Sequence, residues 1–166
     1  AAQAQAGAIP QSQVQEVARD ALEPFERGPK NEGPYQVQHD LQEMMQDLVG
    51  IVRRQDELER ALGGLQTLWE RARRVGVAGN RDYNPGWHTA LDLANLLTVA
   101  DAITRSALER KESRGAHFRD DYPNKDAALA KVNIVVWKGR DGAMQLRREP
   151  IPAMPAELTQ IIEEMK

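Results

Sequence analysis

The chain contains no cysteine. That absence removes a disulfide framework, a thiolate nucleophile and a cysteine zinc site, and it suits a reducing compartment. No apolar stretch reaches 18 residues, so nothing in it reads as a membrane span. The opening AAQAQAGAIPQSQ has neither a basic n-region nor an apolar h-region, and does not read as a signal peptide. An excess of one charge is missing too. Lys and Arg total 22 against 25 Asp and Glu, a net charge of −3, which gives no strong field for nucleic acid. The three histidines, His39, His88 and His117, show no metal-ligand spacing and no H-E-x-x-H pattern. No G-x-G-x-x-G follows a strand, and no phosphate-binding loop is present. On its own residues the chain binds no dinucleotide and no metal.

What is present suffices for a core. The 166 residues are 41% hydrophobic, which fits one domain plus an appendage. Residues 1–10 are expected to be a flexible linker. The missing initiator Met suggests a piece of something longer. Ser12 and Gln15 spell a capping box ahead of a helical stripe at Val14, Val17, Ala18 and Leu22, stopped by Gly28 and Pro29. A second helix is expected from Pro34, with Leu41, Met44, Met45, Leu48 and Val52 at helical spacing. A third starts near Asp56 and carries Leu58, Ala61, Leu62, Leu65, Leu68, Trp69 and Ala72. Its adjacent Gly63 and Gly64 point to close packing or a bend. The fourth has the clearest start, Asn84 as a cap and Pro85 at the first turn. It runs to about residue 111 and buries Ala90, Leu93, Leu97 and Ala100. Beyond Pro123, KVNIVVWKG and AMQLRRE flank the turn Gly139–Gly142 and predict a β-hairpin. A lone hairpin is marginal in water, so it should lie against something else. A proline-rich stretch leads to a short amphipathic helix at 155–165.

The histidines have ordinary readings: His39 exposed or capping, His88 packed beside Trp87. Arg71, Arg73 and Arg74 read as a solvated helix C-terminus, where cations favour the dipole. A phosphate patch on these three arginines is the weaker alternative. The segment after the fourth helix is different. Glu112, Ser113, Arg114, Gly115, His117, Arg119, Asp120, Asp121 and Tyr122 mix both charge signs in a dozen positions. Gly115 marks a backbone position suited to φ > 0. Arg114 and Arg119 offer planar forks, and Tyr122-Pro123 closes the loop. Buried charges of this kind must be paired. The expectation is that another domain supplies matching groups.

NPGWHTALDLANLLTVADAITRSALERKESRGAHFRDDYP resembles the C-terminal region of the flavoprotein subunits of succinate dehydrogenases and fumarate reductases. HDLQEMMQDLVGIVR, the leucine spacing Leu58, Leu62, Leu65, Leu68 and the ending RREPIPAMPAE are similar to the same region. ERKESRGAHFRDDYP is the most specific segment. The resemblance covers residues 11–160 and implies an all-α fold. That fold is a spectrin-like three-helix antiparallel bundle with an additional N-terminal helix and a small C-terminal β-hairpin and tail. The helical domain is expected at 11–123, and the hairpin and tail at 124–166. The resemblance further implies that FAD and the dicarboxylate site lie upstream. This chain would hold no catalytic, cofactor-binding or metal residue and would be inactive alone. Glu112, Arg114, His117, Arg119, Asp121 and Tyr122 would line the interface with the flavin-binding domain. An iron–sulfur subunit and a membrane anchor would be the further partners. The complex would lie peripherally on the cytoplasmic side of the inner membrane, with no nucleic acid and no direct insertion. L-aspartate oxidase carries a similar loop and is the related second choice, although the hairpin and proline-rich tail favour the respiratory enzymes. A free-standing helical interaction module is the alternative from another class.

Overall fold

The computed structural model describes residues 8–165. Residues 1–7 of the expected linker lie outside them. The chain is mostly helical and divides into two compact units, Ala1–Leu48 with Arg60–Asp101, and Val49–Glu59 with Ala102–Lys166.

The first unit contains α1 (Gln11–Arg27), nearly all of α2 (Pro34–Val49), and the larger parts of α3 (Gln55–Ala72) and α4 (Pro85–Glu109). The 3.6-residue period brings Val37 and Leu41 of α2, Leu65 and Leu68 of α3, and Leu93, Leu97 and Ala100 of α4 into one buried cluster with Val75. Met44, Met45, Leu62, Trp69 and Ala90 pack around it. A Cβ on Gly64 would collide with the Met44 sulfur, so the glycine serves close packing. At the head of α4, Asn84 Oδ1 accepts the Trp87 N–H at 3.0 Å. Its Nδ2 donates to the carbonyls of Ala78 and Asn80, each at 2.8 Å. The side chain therefore caps the helix and ties down the loop before it.

The start of α1 departs from the sequence reading. The helix begins at Gln11 with Pro10 as N-cap and no side-chain cap bond, so Ser12 and Gln15 form no capping box. Val14 and Val17 are exposed. The helix is held at its other end, where Pro24 is buried. There the Trp87 indole donates to the Ala21 carbonyl at 2.7 Å, and Trp87 meets the Phe25 ring at 5.4 Å between centroids.

The second unit holds the sheet structure. Val52 leaves the helical stripe assigned to it, because α2 ends at Val49 and β1 (Val52–Arg53) follows. It pairs in parallel with β2 (Phe118–Arg119), Val52 opposite Phe118 and Arg53 opposite Arg119. After a 3-10 turn at Leu129–Lys131 come β3 (Val132–Lys138) and β4 (Met144–Pro150). These form the expected antiparallel hairpin, with Val132 opposite Pro150 and Lys138 opposite Met144. The hairpin does lie against something: Arg110 donates to the Val132 carbonyl at 2.9 Å, and Arg148 pairs with Glu109 at 2.8 Å. α5 (Ala156–Glu164) ends the chain. Among the described residues no helix is long and apolar enough to cross a membrane.

Candidate functional site

The charged loop belongs wholly to the second unit, and its chemistry begins with helix ends. An α-helix leaves its last carbonyls and first amides unpaired. Arg119, with no exposed surface, donates from Nη1 to the carbonyl of Ala107 at 2.8 Å, in the last turn of α4. Its Nε and Nη2 grip both oxygens of Asp121, each at 2.7 Å. Asp121 Oδ2 in turn accepts the backbone N–H of Gln55 at 2.9 Å, the first residue of α3. A cation thus sits at one helix C-terminus and an anion at another helix N-terminus, the signs the dipoles favour. The guanidinium also lies over the Tyr122 ring, 5.0 Å from its centroid. The bond from Arg119, aided by the Gln55 amide, holds the Asp121 carboxyl down to about 2.

Arg53 treats the end of α2 in the same way. Its Nε donates to the carbonyls of Val49 at 3.0 Å and Gly50 at 2.8 Å. Its Nη1 meets His117 Nδ1 at 2.9 Å. An arginine can only donate, so Nδ1 is the acceptor and the ring proton sits on Nε2, which donates to the Arg110 carbonyl at 3.0 Å. Burial holds the His117 pKa below its usual value, and the charges of Arg53, Arg119 and Arg110 add to that. His117 is a neutral spacer between arginines.

Glu112 is the third node, and no part of it is exposed. Oε1 accepts from Arg110 Nη1 at 2.5 Å and Arg114 Nε at 3.0 Å. Oε2 accepts from Arg114 Nη2 at 2.9 Å and the Asp126 amide at 2.8 Å. The Arg114 fork, followed by the Asp126 amide and Arg110, outweighs burial and sets the carboxyl at about 2. Ser113 completes the loop. Its Oγ accepts the Arg119 amide at 2.8 Å and lies 3.0 Å from the Tyr122 carbonyl, to which it can donate. Gly115 adopts φ +59 in the turn that bridges Arg114 and His117, as its position in the loop suggested.

All six residues named from sequence therefore gather in one network. The expectation that another domain must supply their partners is corrected: Arg53, Arg110, Gln55 and Asp126 supply them from within the unit. Among the described residues no buried side-chain polar atom lacks a hydrogen bond, and no three His, Cys, Asp or Glu groups could hold a metal ion. The sequence singled out neither Arg53 nor Arg110. Nothing local marks Arg53, because its role depends on the parallel pairing of β1 with β2, which brings it to His117, 64 residues away.

The remaining polar candidates are ordinary. His39 lies 3.3 Å from Glu43 in an exposed pair. Arg71 is not a free solvated cation: it binds Glu32 and reaches Asp40 at 2.5 Å. Arg73 lies 5.9 Å from the Trp69 ring centroid.

Comparison with known proteins fits this picture. The family model described as fumarate reductase flavoprotein C-term matches residues 38–162. The fumarate reductase flavoprotein subunit of Haemophilus influenzae is 30% identical over 151 residues, 89% of this chain and 25% of that subunit. The L-aspartate oxidase of Yersinia pestis is 45% identical over 86 residues, 52% of this chain and 15% of that protein. Among solved structures, Mycobacterium smegmatis Sdh1 in complex with UQ1 superimposes with a TM-score of 0.84 at 37% identity, over 93% of this chain and 26% of that one. The chain spans about a quarter or less of the length of these proteins.

Proposed function

The chain belongs to the fumarate reductase and succinate dehydrogenase flavoprotein family, as a C-terminal domain, and from that premise we propose that it packs on the flavin-binding domain of a longer subunit without carrying redox chemistry itself. The observation behind this reading is the loop network. A dense set of charges joins helix ends within the unit, and among the described residues no buried side-chain polar atom lacks a partner. In this reading FAD is bound by the parent subunit, which passes hydride between succinate and flavin and electrons to an iron–sulfur subunit. A membrane anchor holds the complex on the cytoplasmic side of the inner membrane. Helices α2, α3 and α4 act as a spectrin-like antiparallel bundle, supported by the core they share around Leu97. Residues 11–123 are the helical domain, with 124–166 its hairpin and tail. Glu112, Arg114, His117, Arg119, Asp121 and Tyr122 form the rigid seam offered to the flavin-binding domain.

The equivalent domain of an L-aspartate oxidase is a second reading, favoured by the higher identity over the shorter match. The longer match, which takes in most of the chain, supports the first. Purified alone, the chain should show no flavin absorbance and no succinate-dependent dye reduction. Detectable turnover, or bound flavin, would contradict the proposal.

A further inference from the structure

Helix α5 carries an apolar stripe that nothing in its unit covers. Leu158, Ile161, Ile162 and Met165 fall at helical spacing and keep 50%, 50%, 45% and 82% of their surface exposed. Glu157 and Glu164, seven residues apart, run along one border of that stripe. Thr159 lies on the other border, and Glu163 is on the back. No Lys or Arg lies within Ala156–Glu164. The hydrogen bonds recorded for the helix are local, from Leu158 and Thr159 to the Pro155 carbonyl, from Met165 to Ile161, and from Gln160 to Glu164. A nine-residue helix is marginal in water without a packing partner.

The charges narrow what that partner is. An acidic amphipathic helix is repelled by an anionic leaflet, where surface helices carry Lys and Arg instead. Two copies of α5 laid stripe to stripe in antiparallel fashion would bring Glu157 of one against Glu164 of the other. We infer that α5 docks into an apolar groove, with Lys or Arg along one wall, on the remainder of the same flavoprotein subunit. This rests on the reading of the chain as part of a longer flavoprotein. The Haemophilus influenzae relative is about four times as long as the matched region. Covalent linkage raises the effective concentration of that surface for a short tethered helix.

The test is amide hydrogen exchange on the intact parent subunit, free of other subunits, with a synthetic peptide of residues 150–166 as the unprotected reference. Amides 158–165 should exchange at least roughly tenfold more slowly in the subunit than in the peptide. Ile161→Asp, and separately the double variant Glu157→Lys with Glu164→Lys, should each return them to the peptide rate while the FAD spectrum stays unchanged. Peptide-like exchange in the wild-type subunit would overturn the inference. So would protection that survives the double charge reversal, or protection that appears only when an iron–sulfur subunit or anionic phosphatidylglycerol vesicles are added. The FAD spectrum of the same preparation separates the two levels. A subunit that holds no FAD defeats the flavoprotein reading. An FAD-loaded subunit with an unprotected tail defeats only the docking of α5.

Discussion

Around Leu97 three helices meet through aliphatic side chains, whereas around Glu112 helix ends and strands meet through guanidinium forks and carboxylates. The first contact is non-directional. It tolerates any apolar residue of the right volume, and its loss scales with the carbon removed. The second depends on its fully buried members, Glu112 and Arg119, because a buried ion that loses its partner keeps its desolvation cost. The two units thus have different failure modes. The apolar core should weaken by degrees, while the ion network should fail as a set once a buried member is lost.

Removing the hub of the network is the harshest way to test that contrast. Glu112→Ala leaves Arg110 and Arg114 facing each other without a carboxylate, and should cost about 3–5 kcal/mol, read from denaturant unfolding. A cost no larger than that of a surface substitution would break the comparison. Leu97→Ala should cost about 2–5 kcal/mol through transfer and cavity terms. Leu97→Met should recover most of that, since volume-conserving swaps cost under about 1.5 kcal/mol. Glu112→Gln should recover little, because the amide keeps the shape but not the charge.

Acid sharpens the same contrast with smaller effects. Glu112 and Asp121 are held down to about 2 when folded, below their ordinary 4.5 and 3.8. Their stabilisation is complete above the ordinary values and is lost as pH falls towards about 2. His117 has a lowered folded pKa, so the unfolded chain takes up its proton first. That stabilisation is present above about 6.5, the unperturbed histidine value, and declines as pH falls below it. Amides in the loop, such as those of Arg114, His117 and Asp120, should therefore lose exchange protection before those of Leu65 and Leu97. Simultaneous loss in both would contradict the separation.

The legible parts of the molecule were those governed by short-range rules. Asn84-Pro85 marked the start of α4, alternation marked the hairpin, and the spacing of Leu65, Leu68, Leu93 and Leu97 marked the core. Gly115 marked a turn, and the loop's residue types marked the site. Val52 and Arg53 were not legible, because a two-residue parallel strand carries no period and Arg53 finds its partners only after β1 and β2 meet. Ser12 and Gln15 misled because Pro10 took the cap position first. The partners of Glu112 were misassigned for a physical reason. Composition shows that charges balance, but only the backbone path shows that Arg110, Arg114 and the Asp126 amide converge on one carboxylate.

In the proposed function the loop network is complete in itself and also serves as a docking seam. Thermal melts of Arg114→Ala, in this chain alone and in the intact subunit, test it most directly. Arg114 is the network member whose side chain remains 36% exposed, while Arg110 and the Asp126 amide would still hold Glu112. The loss of melting temperature should be larger in the intact subunit than in the isolated chain. Equal losses in both would show that the loop only braces its own helices.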